Sequence, residues 1–276
     1  MGLATGTAPP ETRSYTPGMD DRHAQRLRSA FTAQAATIED PALGTAFTAG
    51  LSWLVGLAEP RADDVVVDVC GGTGLVARAL APSVRSVLVV DLTPTMLATA
   101  RRAAAAEGHA GIGFARADAT RLPLPDGCCS LVITRFALHH VPDPGAVFDE
   151  LVRVARPGGR VVVKDLVSSD EDSLAAAQDE IERRRDDSHL RMLRPGETSE
   201  ALRARGCVVR AVARRELVRP LEPWLAQSMT PPERAREIRR RLRADLDGGE
   251  PTGMRPHRRD AELWFVQDWE ATVATR

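Results

Sequence analysis

Hydrophobic positions in this chain follow a repeating rhythm of short apolar runs and longer amphipathic ones. Val65-Val66-Val67-Asp68-Val69 is a nearly unbroken β-branched run, the pattern of a strand buried on both faces of a parallel sheet. It breaks into Cys70-Gly71-Gly72-Thr73-Gly74 and resumes as an apolar helix over 75–80. Further strands are predicted over 86–90, 112–117, 130–134 and 161–165, separated by helices from Pro94 to Glu107 and from Pro142 to Val154. Strands alternating with helices in this way predict an α/β fold built on a parallel sheet. Ahead of this block the pattern predicts helices over 26–36 and 42–57, with Phe47 and Trp53 directed toward the sheet. After it come a charged helix over 173–185, read as a solvated face, a helix from Glu197 to Arg205 and a strand from Cys207 to Leu217. An arginine-rich helix over 231–246, a loop over 252–257 and a last strand from Glu262 through Val273 complete the pattern.

Composition narrows the class of molecule. A formal net charge of -1 over 276 residues gives no reason to expect a nucleic-acid or membrane-surface binder, and the arginines of the 231–246 helix are balanced by Glu233, Glu237 and Asp245. Cys70, Cys128, Cys129 and Cys207 lack metal-ligand spacing and read as free thiols of a reducing compartment, and no metal site is expected. No signal peptide is visible and no apolar run approaches the ~20 residues of a membrane span, so a cytoplasmic protein is expected. Lys164 is the only lysine in a chain otherwise supplied with arginine, which we read as coding bias of a GC-rich genome.

The chemistry centres on the turn after the first strand. Gly72 and Gly74 allow a ligand close to the backbone, and the helix that follows offers unpaired N–H groups, so an adenosine-containing ligand is expected. Asp91, at the end of the second strand, stands where a carboxylate accepts ribose hydroxyls. Gly72-Thr73-Gly74-Leu75-Val76-Ala77 also satisfies the dinucleotide pattern G-x-G-x-x-A, so these features alone fit NAD as well. Asp68 separates the two readings: a carboxylate at this point is unfavourable beside a pyrophosphate and favourable beside a cationic amino acid.

Asp68-Val69-Cys70-Gly71-Gly72-Thr73-Gly74 resembles motif I of class I S-adenosylmethionine-dependent methyltransferases, with Cys70 in place of the first motif glycine. Phe31-Thr32-Ala33-Gln34-Ala35, Asp118-Ala119, Leu138-His139-His140 and Arg156-Pro157-Gly158-Gly159 resemble further segments of that family in order. Arg184-Arg185-Asp186-Asp187-Ser188-His189-Leu190-Arg191 resembles a segment of the ubiquinone/menaquinone-biosynthesis subgroup, with Asp187 replacing a proline. The resemblance implies a Rossmann-like, doubly wound seven-stranded sheet with an antiparallel last strand, an N-terminal helical lid and a C-terminal helical insertion. Residues 1–20 would be a disordered lead-in, 21–60 the lid, 61–166 the cofactor-binding core and 167–276 the substrate-side helices and last strands.

It further implies S-adenosyl-L-methionine as cofactor, held by Gln34, Asp68, Cys70, Gly71, Gly72, Gly74, Asp91, Leu92, Met96, Asp118, Ala119 and Arg135. The activity implied is methyl transfer to an O, N or C nucleophile of a small-molecule acceptor, in quinone or secondary-metabolite biosynthesis. His139 is the candidate general base, His189 a candidate at the substrate chamber, and Asp165 a residue that binds substrate or orders a base. Two other readings stay open: a non-methylating cyclisation on the same cofactor, and an NAD-dependent oxidoreductase. Assembly as a homodimer is left open as well.

Overall fold

The computed structural model describes residues 21–40, 43 and 48–276; the expected lead-in and the first part of the 42–57 helix, with Phe47, lie outside the described residues. Five strands run parallel in the order β3-β2-β1-β4-β5: β1 (Val65–Val69), β2 (Ser86–Asp91), β3 (Ile112–Arg116), β4 (Cys129–Arg135) and β5 (Ala155–Val167). Helices α1 (Asp21–Gln34) and α2 (Leu51–Ala58) precede the sheet, and α3 (Leu75–Leu80), α4 (Pro94–Ala106) and α5 (Pro144–Val154) are its crossovers.

The unbroken apolar strands are explained by two cores. Val66, Leu131, Ile133 and Val162 face a cluster shared with Leu54 of α2, Leu80 of α3 and Leu97 of α4. Their strand neighbours Val67, Val132, Val161 and Val163 face the opposite cluster, with Phe148 and Leu151 of α5. Side chains alternate across a strand, so a sheet covered on both faces needs apolar residues at every position, each worth about 1.5–3 kcal/mol when buried.

Beyond β5 the chain reverses the sheet's direction. Helices α6 (Asp172–Arg185) and α7 (Glu197–Ala204) lead to β6 (Val208–Pro220), which forms the sheet edge, while β8 (Glu262–Thr275) inserts antiparallel between β5 and β6. The seven expected strands are joined by an eighth, β7 (His257–Arg259), which forms a hairpin with β8 and takes up the end of the stretch expected as a loop. Asp260, in the left-handed region at φ 54°, makes the tight turn between them.

The helices α8 (Leu221–Gln227) and α9 (Pro232–Leu246) build a third core with α6, in which Ile181, Trp224, Ile238, Leu242 and Phe265 are buried. This corrects the reading of α6 as a solvated charged face. Asp179 and Glu182 are buried, Asp179 accepting from His189 and Glu182 accepting from Gln267 Nε2 at 2.7 Å and pairing with Arg185. On α9, Arg239, Arg240 and Arg241 pair with Glu222, Glu237 and Glu180. No described helix is long and apolar enough to cross a membrane.

At the end of the sheet away from the glycine turn, one buried ion pair ties three strands together. Asp64, just before β1, accepts from Ser130 Oγ of β4 at 2.7 Å and pairs with Arg160 of β5, whose guanidinium also donates to the Ala58 and Glu59 carbonyls. Burial pushes the Asp64 carboxyl up, but Arg160, Ser130 and the Arg61 N–H outweigh it and leave the group below the ordinary range. A depressed carboxyl stabilises the fold above its unfolded value near 4, and that contribution is lost as the pH falls through the folded value. Asp64→Ala leaves Arg160 buried and uncompensated, and should cost about 3–5 kcal/mol in chemical denaturation, with the deficit against the parent narrowing below about pH 4.

Candidate active site

The strand order reverses between β1 and β4, so the crevice of a doubly wound sheet is expected beyond their C-terminal ends. A solvent-open cavity of about 900 Å³ lies there, with a predominantly apolar lining and four charged residues, Asp68, Asp91, Asp118 and Arg135. Its floor is the β1–α3 turn, where Cys70, Gly72 and Gly74 take φ values of 56°, 56° and 75°. A Cβ on Gly71 would fall 2.8 Å from the Asp68 carboxyl and 2.9 Å from Val89, so only glycine fits there. Above Gly72 there is open space for a ligand. Cys70 holds a left-handed conformation without glycine's freedom, at a cost of about 1–2 kcal/mol. Burial, with the Asp91 and Asp118 carboxylates, pushes its thiol well up, so it stays protonated.

Each acidic residue is positioned by backbone. Asp91 accepts the Gly72 N–H at 2.9 Å on one oxygen and the Thr93 N–H at 2.8 Å on the other, joining the glycine turn to the start of α4. Burial raises its carboxyl despite these bonds. Asp118 spends Oδ1 on the Thr120 N–H and hydroxyl, leaving Oδ2 buried without a partner. Asp68 is 1% exposed and its Oδ2 is also unpartnered. Burial lifts Asp68 to about 7, against the pull of Arg135, which is itself lowered to about 10 by the same burial. An orphaned buried carboxylate oxygen calls for a donor. Two of them, at residues on one cavity, fit a ligand with an amino group near β1 and another near the β3 end. The arrangement matches the cationic amino acid and the adenine of S-adenosylmethionine.

Of the twelve residues expected to hold the cofactor, Asp68, Cys70, Gly71, Gly72, Asp91, Leu92, Met96, Asp118, Ala119 and Arg135 line this cavity. Gly74 lies beneath the turn against Ala100. Gln34 does not reach the lining: its amide is drawn to Asp186 Oδ2 at 2.8 Å, while Leu27, Phe31 and Ile38 from the same segment line the cavity instead.

The three residues expected in catalysis also stand off the cavity. His139 Nδ1 donates to Asp165 Oδ1 at 2.5 Å, both groups buried. Asp165 accepts the Leu138 and Leu166 N–H groups besides, so the pair ties the segment after β4 to the end of β5. Burial lowers His139, but Asp165 outweighs it and leaves the imidazole above its ordinary value. His189 donates to Asp179 of α6 at 2.8 Å. The imidazole on the cavity wall is His140, whose ring meets Phe31 edge-on at 4.9 Å. Ser188 Oγ donates to Asp186, so His140 Nδ1 must donate to Ser188 Oγ at 3.0 Å. Burial, aided by His139, presses His140 to about 3, so it stays neutral and is a poor proton acceptor at neutral pH.

Sequence reasoning also passed over Lys164. Its ammonium is fully buried, its Nζ has no hydrogen-bond partner, and it lies 3.9 Å from the centre of the Trp269 ring. Its occurrence as the single lysine of the chain was the available signal.

The methyltransferase domain model matches residues 67–163, the span from β1 through most of β5. The chain is 28% identical over 188 residues to the uncharacterized methyltransferase YcgJ of Bacillus subtilis, covering 68% of this chain and 74% of that protein. It is 40% identical over 123 residues to a demethylmenaquinone methyltransferase of Thermus thermophilus, covering 42% of this chain and 55% of the relative. A crystal structure from Bacillus halodurans superposes with a TM-score of 0.75 at 26% identity, covering 82% of this chain and 97% of that one. Taken with the acidic cavity beyond the glycine turn, these likenesses establish that the chain is a class I S-adenosylmethionine-dependent methyltransferase.

Proposed function

We propose that this enzyme methylates a small-molecule acceptor of the kind found in quinone or secondary-metabolite biosynthesis. The observation that supports this reading is the apolar cavity itself: Leu27 and Phe31 of α1 line it together with the strand ends, and Phe136 on its wall packs against an apolar cluster of Leu166, Met192 and Trp269. A cavity of this size and lining suits a compact acceptor.

In this reading Asp91 accepts the ribose hydroxyls of the cofactor, Asp118 accepts from the adenine amino group, Asp68 pairs with the methionine ammonium and Arg135 with its carboxylate. The bound cofactor supplies a methyl group already activated by its sulfonium. The protein's part is to align the nucleophile, exclude water and take up a proton. His139 and Asp165 act as a positioning pair, fixing the Leu138–His140 turn and with it the His140 wall.

Calorimetric titration with S-adenosylmethionine, S-adenosylhomocysteine and NAD, followed by a screen of small acceptors for S-adenosylhomocysteine release, tests the reading. Release with no acceptor in the screen, or only with protein or RNA, would overturn it. Asp91→Ala should weaken S-adenosylmethionine binding by about 1.5–3 kcal/mol, the loss of hydrogen bonds to a charged acceptor. Asp68, at about 7 in the free protein, must be ionised to pair with an ammonium. Cofactor affinity should therefore rise with pH up to about 7 and level off above it, and Asp68→Asn should bind more weakly with a flat profile. His139→Ala should leave the cofactor Kd within about twofold while kcat falls, since the residue touches the turn and not the ligand.

A further inference from the structure

Lys164 is packed behind side chains at the edges of two hollows. On one side is Phe136, whose ring is 4.9 Å from Lys164 Nζ and which also lines the cofactor cavity. On the other is Trp53, at 5.2 Å, whose ring also has the Arg215 guanidinium over it at 4.5 Å. Arg215 in turn lines a second, solvent-open hollow of about 680 Å³ with Ser168, Ser169 and Arg214. Trp269 closes the box from β8, its ring 5.0 Å from that of Phe136. The Lys164 carbonyl accepts the Phe136 N–H at 2.9 Å and so holds Phe136 in its left-handed conformation, φ 54°. The position of Phe136, which borders both the cofactor cavity and the lysine, is thus set by the lysine's own backbone.

A buried amine without a partner is costly, and an apolar side chain would fill the same box without that cost. Resting on the methyltransferase reading above, we propose that Lys164 is a catalytic residue that accepts the proton of an acidic hydroxyl on a flat aromatic acceptor bound against Trp53 and Phe136. The flat aromatic walls select the shape. The charges select the chemistry: Arg135 from β4 and Arg215 from β6 favour a developing oxyanion, and disfavour an amine acceptor. Asp165, next along β5, is committed to His139, while on β8 Glu270 is held by Arg214 and Gly196 and Asp268 by Arg255. Burial, with Arg135 and Arg215 adding to it and Asp165 opposing, brings Lys164 down to about 7, so a neutral amine is available at physiological pH. In the reaction the acceptor O–H bond breaks and its proton passes to Nζ. The oxygen forms a bond to the methyl carbon, and the electron pair of the broken C–S bond returns to sulfur. The ammonium so formed is stabilised by the three ring faces around it.

Because Lys164 is the single lysine, a chain labelled with ¹³Cε-lysine gives one lysine side-chain resonance and needs no assignment. The full chain saturated with S-adenosylhomocysteine is titrated alone, with 2-naphthol and with 2-methoxynaphthalene. The expected result is a midpoint near 7 that 2-naphthol raises, through a naphtholate–ammonium pair, and that the ether does not. A midpoint near the ordinary lysine value of about 10.4, no response to 2-naphthol, or the same response to both compounds would overturn the proposal. Lys164→Met should melt at a higher temperature than the parent and lose about 100-fold or more of 2-naphthol methylation, with S-adenosylhomocysteine affinity unchanged. A lower melting temperature would make Lys164 a structural residue instead. If the resonance behaves as expected but no acceptor of any class is methylated, the methyltransferase reading fails and the box stands. If other acceptors are methylated while the resonance test fails, only the role of Lys164 is lost.

Discussion

The site depends on a carboxylate buried at the end of the central strand. Asp68 has almost no contact with water, and a side chain on Gly71 would collide with it. Its own oxygen lacks a donor. Packing of this kind is stable only because the sheet on both sides is apolar and rigid, and it leaves an electrostatic demand that the fold does not satisfy internally. Asp91 and Asp118 repeat the arrangement at the ends of neighbouring strands: each is anchored through backbone N–H groups and directs its remaining acceptor capacity into one crevice. The cofactor half of the molecule is in this sense a fold that leaves buried acceptor oxygens of Asp68 and Asp118 without a donor at one cavity.

That half was legible because its residues sit within a few positions of a strand end, and strand ends are marked by hydrophobic pattern. Asp68, Asp91 and Asp118 each follow or interrupt an apolar run, and the doubly wound topology brings the ends of such runs together. Relations across distant segments leave no such mark. Gln34 is turned to Asp186, 152 residues away in sequence, and so leaves the cavity wall to Phe31. His139 finds Asp165 only because β4 and β5 pair with Arg135 opposite Lys164, which places the start of one loop beside the end of the next strand. The charged face of α6 looked solvated because its covering helix, α9, comes about fifty residues later.

Lys164 shows a different limit. Base composition explains why arginine replaces lysine elsewhere in the chain and not why one lysine stays. The answer lies in chemistry that arginine lacks: a guanidinium cannot give up its proton near neutrality, whereas a desolvated amine can. The aromatic residues around it come from α2, the turn after β4, and β8, three places with no common sequence signature.

The placement of β8 has a consequence for how the molecule is made. β5 and β6 do not touch each other in the sheet; each pairs with β8, which follows them both in the chain. While a ribosome is producing the chain, β5 keeps an open apolar edge for the roughly ninety residues before β8 emerges, and the first two cores wait for Ala274 and Val273 of that strand. Trp269, one wall of the lysine box, arrives on that same strand. The β5 edge is therefore covered only after β8 has been made. The interval in between is when an exposed β5 edge is open to pairing with another chain, and when a chaperone has the most to protect.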